Sequence, residues 1–222
     1  MRMMAVFEKG ARLRHIGHLD IQRAMQRALR RSGLPVSYSK GFNPHILLTF
    51  ASALATGAMG EKEILDVSLD APVEADAFMA AMNAALPPDM QLSFAKPLED
   101  RHPALMAMVR AADYELTLQD DEAAQTLAHA IPGFLAQESI TAMRKSKSGM
   151  KECDIRPLIH DLRMEGNILT ARLTLTEAST CKPDMLLTAL SAFAGIDAPR
   201  MLVNRKGLLG ESDGQLVPLE TL

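Results

Sequence analysis

Cysteine is scarce in this chain of 222 residues: Cys153 and Cys181 are the only two, and they stand far apart. No cysteine spacing of the kind that holds an iron–sulfur cluster or a zinc finger is present, so the chain cannot carry either by itself. In a reducing compartment the pair is expected to remain as thiols. Long apolar runs are missing too. None approaches the ~20 residues needed to cross a bilayer, and the opening MRMMAVFEKG lacks the apolar segment of a secretory signal, so a cytoplasmic location is expected. Glycines are too sparse for a phosphate-cradling loop, Gly57 and Gly60 in ATGAMGEKE lacking the strand before and helix after that such a loop needs. No nucleophile elbow, HExxH or paired-carboxylate motif occurs, and the sequence points to no cofactor.

Charge, by contrast, is abundant and segregated beneath a net −3. Residues 1–45 hold nine basic side chains against two acids, a balance of +7, whereas residues 46–100 hold two lysines against nine acids, a balance of −7. What this means for a partner depends on whether the basic part forms one patch that meets phosphate or pairs internally with the acidic part.

The richest stretch is 12–50, RLRHIGHLDIQRAMQRALRRSGLPVSYSKGFNPHILLTF. Ile21, Ala24, Met25, Ala28 and Leu29 follow the i, i+3, i+4, i+7, i+8 spacing of one buried helix face. A helix over about Leu19 to Ser32 is therefore predicted, ending at Gly33 with Pro35 beyond it. Its polar side carries Arg23, Arg27, Arg30 and Arg31; like charges at i, i+4 cost an isolated helix about 0.2–0.5 kcal/mol per pair, and a surface selected for stability alone would alternate signs. An anion is the expected counterpart, with a solvated basic face as the alternative.

Around that helix the first hundred residues read as strand, helix, strand, strand, helix, strand: Met3 to Lys9, the helix, Val36 to Tyr38 with His45 to Phe50, Glu63 to Leu69, Glu74 to Leu86, and Met90 to Ala95. The same order recurs more faintly through Tyr114 to Leu118, Glu122 to Ile131, Ile140 to Met143, Ile168 to Thr176, Pro183 to Phe193 and Met201 to Asn204. An extra strand is expected around Asp154 to Ile159. The expected fold is α+β, two tandem ferredoxin-like (βαββαβ) domains with antiparallel sheets, over 1–100 and 101–210, with 211–222 as a loose tail.

His15 and His18 flank the helix start, where unpaired backbone N–H groups and the helix dipole favour an anion. They suit general acid–base chemistry, since imidazole titrates near neutrality, and they serve equally as a helix cap and a half-buried ring. A metal would need a third ligand such as His45 or Asp66, and no metal site is expected. The loop Tyr38-Ser39-Lys40-Gly41-Phe42-Asn43-Pro44-His45 offers rings to stack on a base and a lysine for a phosphate. Glycine and Asn-Pro form turns in their own right, and Phe42 is expected to be at least partly structural, leaving Tyr38 as the functional ring. Arg144, Lys145, Lys147 and Lys151, with Ser146, Ser148 and Gly149, form a second basic run, read as a solvated hairpin tip or a finger that touches RNA.

The segment GHLDIQRAMQRALRRSGLPVSYSKGFNPHILLTFASALATG, EKEILDVSL after it and the later KECDIRPLI resemble the radical SAM-linked protein family, a bacterial domain of unknown function. Members of that family occur beside or fused to radical SAM enzymes of the cobalamin-binding-domain type, so the resemblance implies an accessory or substrate-presenting partner of such an enzyme. A more distant similarity is to the CRISPR repeat-processing endoribonucleases, whose paired ferredoxin-like domains often place a catalytic histidine near the first helix, where His15 and His18 lie. Their glycine-rich loop before the final strand is replaced here by LPPDM, Leu86 to Met90.

The expected function is a non-catalytic accessory protein for a radical SAM enzyme, binding RNA or another anionic partner. Arg23, Arg27 and Lys40 would meet phosphates, Tyr38 and Phe42 would stack, and His15, His18 and His45 would order the pocket, with Arg12, Arg14, Asn43, Arg144 and Lys145 also expected in the binding surface. The alternatives are a metal-independent endoribonuclease using His15 or His18, and a protein–protein adaptor.

Overall fold

The computed structural model describes residues 1–99, 101–146 and 149–222, and the side chains of all of these except 145 and 146. It is an α+β protein whose chain divides into two compact units, residues 1–109 with 207–222 and residues 110–206. The expected boundaries at 100 and 210 are thus displaced. The first unit is assembled from two separate pieces of chain, because β10 (Met201–Ser212) begins in one unit and finishes in the other.

In the first unit, β1 (Arg2–Lys9) is flanked by β4 (Leu92–Leu98) and β3 (Ala58–Ser68), both antiparallel to it. The short β2 (Leu48–Phe50) pairs antiparallel with Val67 to Leu65 of β3. Pro97 is tolerated because β4 pairs on one side only, with β1. The 3.6-residue period of α1 (His18–Arg31) buries Ile21, Met25, Ala28 and Leu29, and α2 (Ala75–Ala85) buries Phe78 and Met82. These side chains meet Met3, Ala5 and Phe7 of β1 and Leu65 and Val67 of β3 in one core. Gly33 adopts φ +73° just past α1, the left-handed conformation in which glycine avoids the Cβ penalty.

Two extended segments expected around the GFNP turn are reduced to isolated bridges, Val36 with Leu69 and Tyr38 with Ile46, before β2 begins. Residues 211–222, expected as a loose tail, complete β10, form β11 (Gln215–Pro218) and end in a 3-10 turn with Leu219 buried. The Leu222 carbonyl accepts a hydrogen bond from Lys96 Nζ at 2.6 Å. The short α3 (Leu105–Met108) buries Leu105.

In the second unit the strand order is β8 (Ile159–Glu165), β9 (Ile168–Thr174), β5 (Ala111–Leu118), with β10 beside β5. β9 is antiparallel to both its neighbours β8 and β5. Helices α4 (Asp121–Leu135) and α5 (Pro183–Ala194) pack against each other, with Phe134 and Phe193 edge to face at 5.7 Å. Asp120 caps α4 by accepting from Ala123 N at 2.9 Å. Following α4 in the chain is the hairpin of β6 (Thr141–Ser146) and β7 (Gly149–Asp154), and the extra strand expected near 154–159 is instead a 3-10 turn, Arg156–Leu158. Strand β8 was hidden because only Ile159 and Leu162 of its seven residues are buried. Among the described residues no helix is long and apolar enough to cross a membrane.

Candidate functional site

The basic N-terminal stretch largely pairs internally. Arg2 binds Asp66, Arg12 binds Asp89, and Arg23 Nη1 meets Asp20 at 2.7 Å. Arg31 donates to the Ala85 carbonyl at 2.7 Å. Lys9, only 2% exposed, donates to the carbonyls of Arg14 and Ala55 at 3.1 and 3.3 Å. Arg27, Arg30 and Lys40 remain exposed, with no ion-pair or hydrogen-bond partner among the described residues. The arginine stripe read from the sequence therefore shrinks to Arg27 and Arg30, because Arg23 meets Asp20 one turn away and Arg31 meets a carbonyl brought in from α2, while Arg2 and Arg12 outside the stripe pair with acids more than sixty positions distant.

His15 and His18 sit at the N-terminal end of α1. Arg14 Nε donates to His15 Nε2 at 3.0 Å. The His18 ring lies edge to face with Phe50 at 5.1 Å, and Phe50 in turn meets Phe7 at 5.7 Å. A small, partly open space of about 10 Å³ is lined there by His18, Phe50, Lys9 and Glu63, among others. Glu63 is as buried as Lys9, and Gly60 makes room for it, since a Cβ at 60 would fall 2.5 Å from its Oε1. The glycine that looked idle in the sequence thus admits a buried carboxylate.

His45 is elsewhere. Ser37 N donates to Ser68 O at 2.9 Å, three residues along β3 from Leu65, the partner of Phe50, or about 10 Å at the rise of a strand. The loop 38–45 projects beyond that point. His15 and His18 therefore do not share a pocket with His45, contrary to the expectation, and the histidines with Asp66 do not converge as a ligand set.

The loop is closed at its neck by its own polar groups. Ser39 Oγ and His45 Nδ1 are 2.8 Å apart, Ser39 N donates to His45 O at 2.8 Å, and His45 N donates to Ser39 Oγ at 3.1 Å. Gly41 has φ +134°, so a side chain there would be strained. Beyond the neck Lys40, Phe42 and Asn43 all face solvent. Phe42 is 111% exposed and Tyr38 45% exposed, which corrects the expectation that Phe42 is at least partly structural. Turn chemistry fixes where the backbone bends but not which way a ring at the tip points.

Beside the loop, on the sheet face opposite the core, lies a groove of about 370 Å³ lined by Arg2, His45, Leu47, Thr49, Asp66 and Ser68, with Ala104 at its margin. The register explains the grouping: Arg2 faces Ser68 and Asp66 faces Thr49 across neighbouring strands. Sequence reading missed this groove, although the alternation of Glu63 to Leu69 already placed Asp66 and Ser68 on one face.

In the second unit Arg144 lies directly across from Lys151, a like-charge pair that destabilises a hairpin unless an anion intervenes. Lys147 and Ser148 lie outside the described residues, as do the side chains of Lys145 and Ser146. A second groove, about 450 Å³, is lined by Met143, Met150, Met185 and Ala189. The Asp154 carboxyl is held below its usual range by hydrogen bonds from the backbone of Ile140 and Arg156, both 2.9 Å. Burial, then the nearby Arg172 charge, pushes the His160 imidazole down. Burial pushes the Cys181 thiol up to about 12.

A family model described as an uncharacterized protein conserved in bacteria, DUF2344, matches residues 2–186, and the chain belongs to that family. No curated protein matches it.

Proposed function

We propose that this DUF2344 protein is a non-catalytic binding protein that holds single-stranded RNA and presents it to a radical SAM enzyme. The observation that carries the reading is the fully exposed Phe42 on a loop whose neck is fixed and whose tip also offers Lys40. A large apolar ring that stands fully in solvent on a glycine-shaped tip is free to be covered by a flat partner. A nucleobase does so by stacking, and Lys40 supplies a phosphate contact on the same loop. Arg27 and Arg30, which lack acidic partners among the described residues, extend the basic surface in the same unit. The radical SAM partner rests on the resemblance of the SKGFNPH-bearing segment to the radical SAM-linked family. His15 and His18 are structural in this reading, one accepting from Arg14 and the other packed on Phe50.

Each compact unit is, in our reading, a ferredoxin-like βαββαβ unit, interleaved through β10 rather than tandem. The order β4, β1, β3, β2 in one unit and β10, β5, β9, β8 in the other supports it.

The test is binding of single-stranded RNA to the full chain as salt is varied. The expected result is binding that weakens with a slope of about −0.7 in log K against log salt for each phosphate neutralised. No binding at low salt overturns the RNA reading and favours a protein–protein adaptor that uses the same exposed loop.

A further inference from the structure

The groove beside the loop carries a feature that phosphate binding does not need. Asp66 is 7% exposed, and both of its hydrogen bonds from Arg2, through Nε at 3.0 Å and through Nη2, end on the same oxygen, Oδ2. The other oxygen, Oδ1, has no hydrogen-bond partner among the described residues, and Asp66 lines the groove. Arg2 is meanwhile turned toward the groove's margin, Nη1 donating to His102 O at 2.5 Å and Nη2 to Pro103 O at 3.4 Å. The guanidinium and the carboxylate cancel in charge, while the oxygen left over can only accept.

Such a site disfavours an anion, which would meet a carboxylate oxygen, and has no net charge to draw a cation. It suits a neutral group that donates an N–H. Thr49 and Ser68 flank Asp66 with hydroxyls that accept or donate, and Leu47 gives an apolar wall. His45 has Nδ1 engaged with Ser39, leaving Nε2 as its remaining polar atom. A volume of about 370 Å³ falls within the size range of small-molecule sites, roughly 300–1,000 Å³. His45 belongs both to this groove and to the neck of the loop that exposes Phe42, so a strand held by the loop would pass the groove mouth.

We infer that this groove binds a nucleobase bearing an exocyclic amino group, adenine, cytosine or guanine, whose N–H donates to Asp66 Oδ1. Carboxylates accept from such amino groups in known base recognition. Uracil is disfavoured, because its ring N3–H lies between two carbonyl oxygens that would face the carboxylate. The inference deepens the RNA reading by giving it a base preference, and free nucleosides test it without any phosphate contact.

The experiment is a ¹H–¹⁵N NMR titration of the full chain with adenosine, cytidine and uridine at millimolar concentration. Adenosine and cytidine are expected to shift the amide signals of Thr49, Asp66 and Ser68, and uridine to bind at least about tenfold more weakly, the equivalent of one lost hydrogen bond. Thr49→Phe, which fills the groove from its exposed edge, is expected to abolish the shifts without changing the melting temperature. Ser68→Leu fills it from the neighbouring strand if the first variant does not fold. Equal binding of uridine overturns the inference, as does the absence of shifts with every nucleoside, or nucleoside shifts that survive both fillings. Failure of the RNA reading looks different: oligouridylate then fails to bind at low salt while adenosine still titrates the groove.

Discussion

The two ends of the 15–45 segment contain nearly the same ingredients, histidine, a basic residue and a nearby phenylalanine, and the fold treats them in opposite ways. At the His18 end the ring packs on Phe50, Lys9 is buried on backbone carbonyls, and Glu63 is enclosed with them. At the His45 end the neighbouring Phe42 and Lys40 stand in water, and among the described residues the histidine is hydrogen-bonded only within its own loop. The difference teaches that a histidine near a helix start and a histidine in a turn are chemically alike but physically unlike. One end is part of the core's edge, and the other is a surface with free groups to offer.

The sharpest way to break this contrast is to truncate both phenylalanines. Phe50→Ala removes a 6% exposed ring that holds Phe7 and His18, and losses of about 3–5 kcal/mol are usual for such truncations. The melting temperature should fall by roughly 6–20 °C in a chain of this size. Phe42→Ala should leave the melting temperature unchanged and lower RNA affinity by roughly ten- to a hundredfold, since base stacking contributes about 1–3 kcal/mol. A Phe42→Ala protein that melts early, or that binds RNA like the wild type, would erase the distinction.

Charge provides the next sharpening. Arg27→Gln with Arg30→Gln should flatten the salt slope of RNA binding by about 0.7 for each phosphate contact removed. Arg23→Gln should have the smaller effect, because Asp20 already neutralises that guanidinium at 2.7 Å. Equal effects in anisotropy titrations would mean that pairing within the fold does not decide which arginines are available.

The same division between enclosed and accessible groups is checked in the second unit by its thiols. Cys181, pushed up to about 12 by burial, has only about 10⁻⁴ of its thiol as thiolate at pH 8, so an aromatic disulfide reagent should leave it untouched in the native protein. The half-buried Cys153 should react first, and unfolding should release the second equivalent. The smallest effect belongs to Asp154. Its lowered folded-state pKa adds stability above the unfolded value of about 3.9, and that stability disappears as pH falls through the folded-state value. Asp154→Ala should therefore lower the melting temperature slightly at pH 7 and not at pH 2, as read by thermal melts at both.

Much of the scaffold was legible because it obeys short-range rules. The stripe from Ile21 to Leu29 announced α1, Gly33 marked its end, and the alternation in Glu63 to Leu69 gave the inner part of β3. The expected anion surface was legible only in part. Arg27, Arg30 and Lys40 are exposed as expected, but Arg2 and Arg12 find acids at positions 66 and 89, a pairing no local pattern encodes. The groove around Asp66 was missed for the same reason: its walls come from β1, β2 and β3.

The sequence by itself determined where the long helices and the strands with a regular apolar period run, since hydrophobic period, glycine and proline act within a few residues; β8, with two buried residues, and the 3-10 turn Arg156–Leu158 carry no such period and escaped it. It also determined the charge imbalance between residues 1–45 and 46–100. Only the tertiary structure decided which of those charges remain free, that Phe42 points outward, and that Asp66 offers one oxygen to a groove. Burial and pairing depend on which distant strands and loops are brought together, and that information lies in strand register rather than in any local stretch of chain.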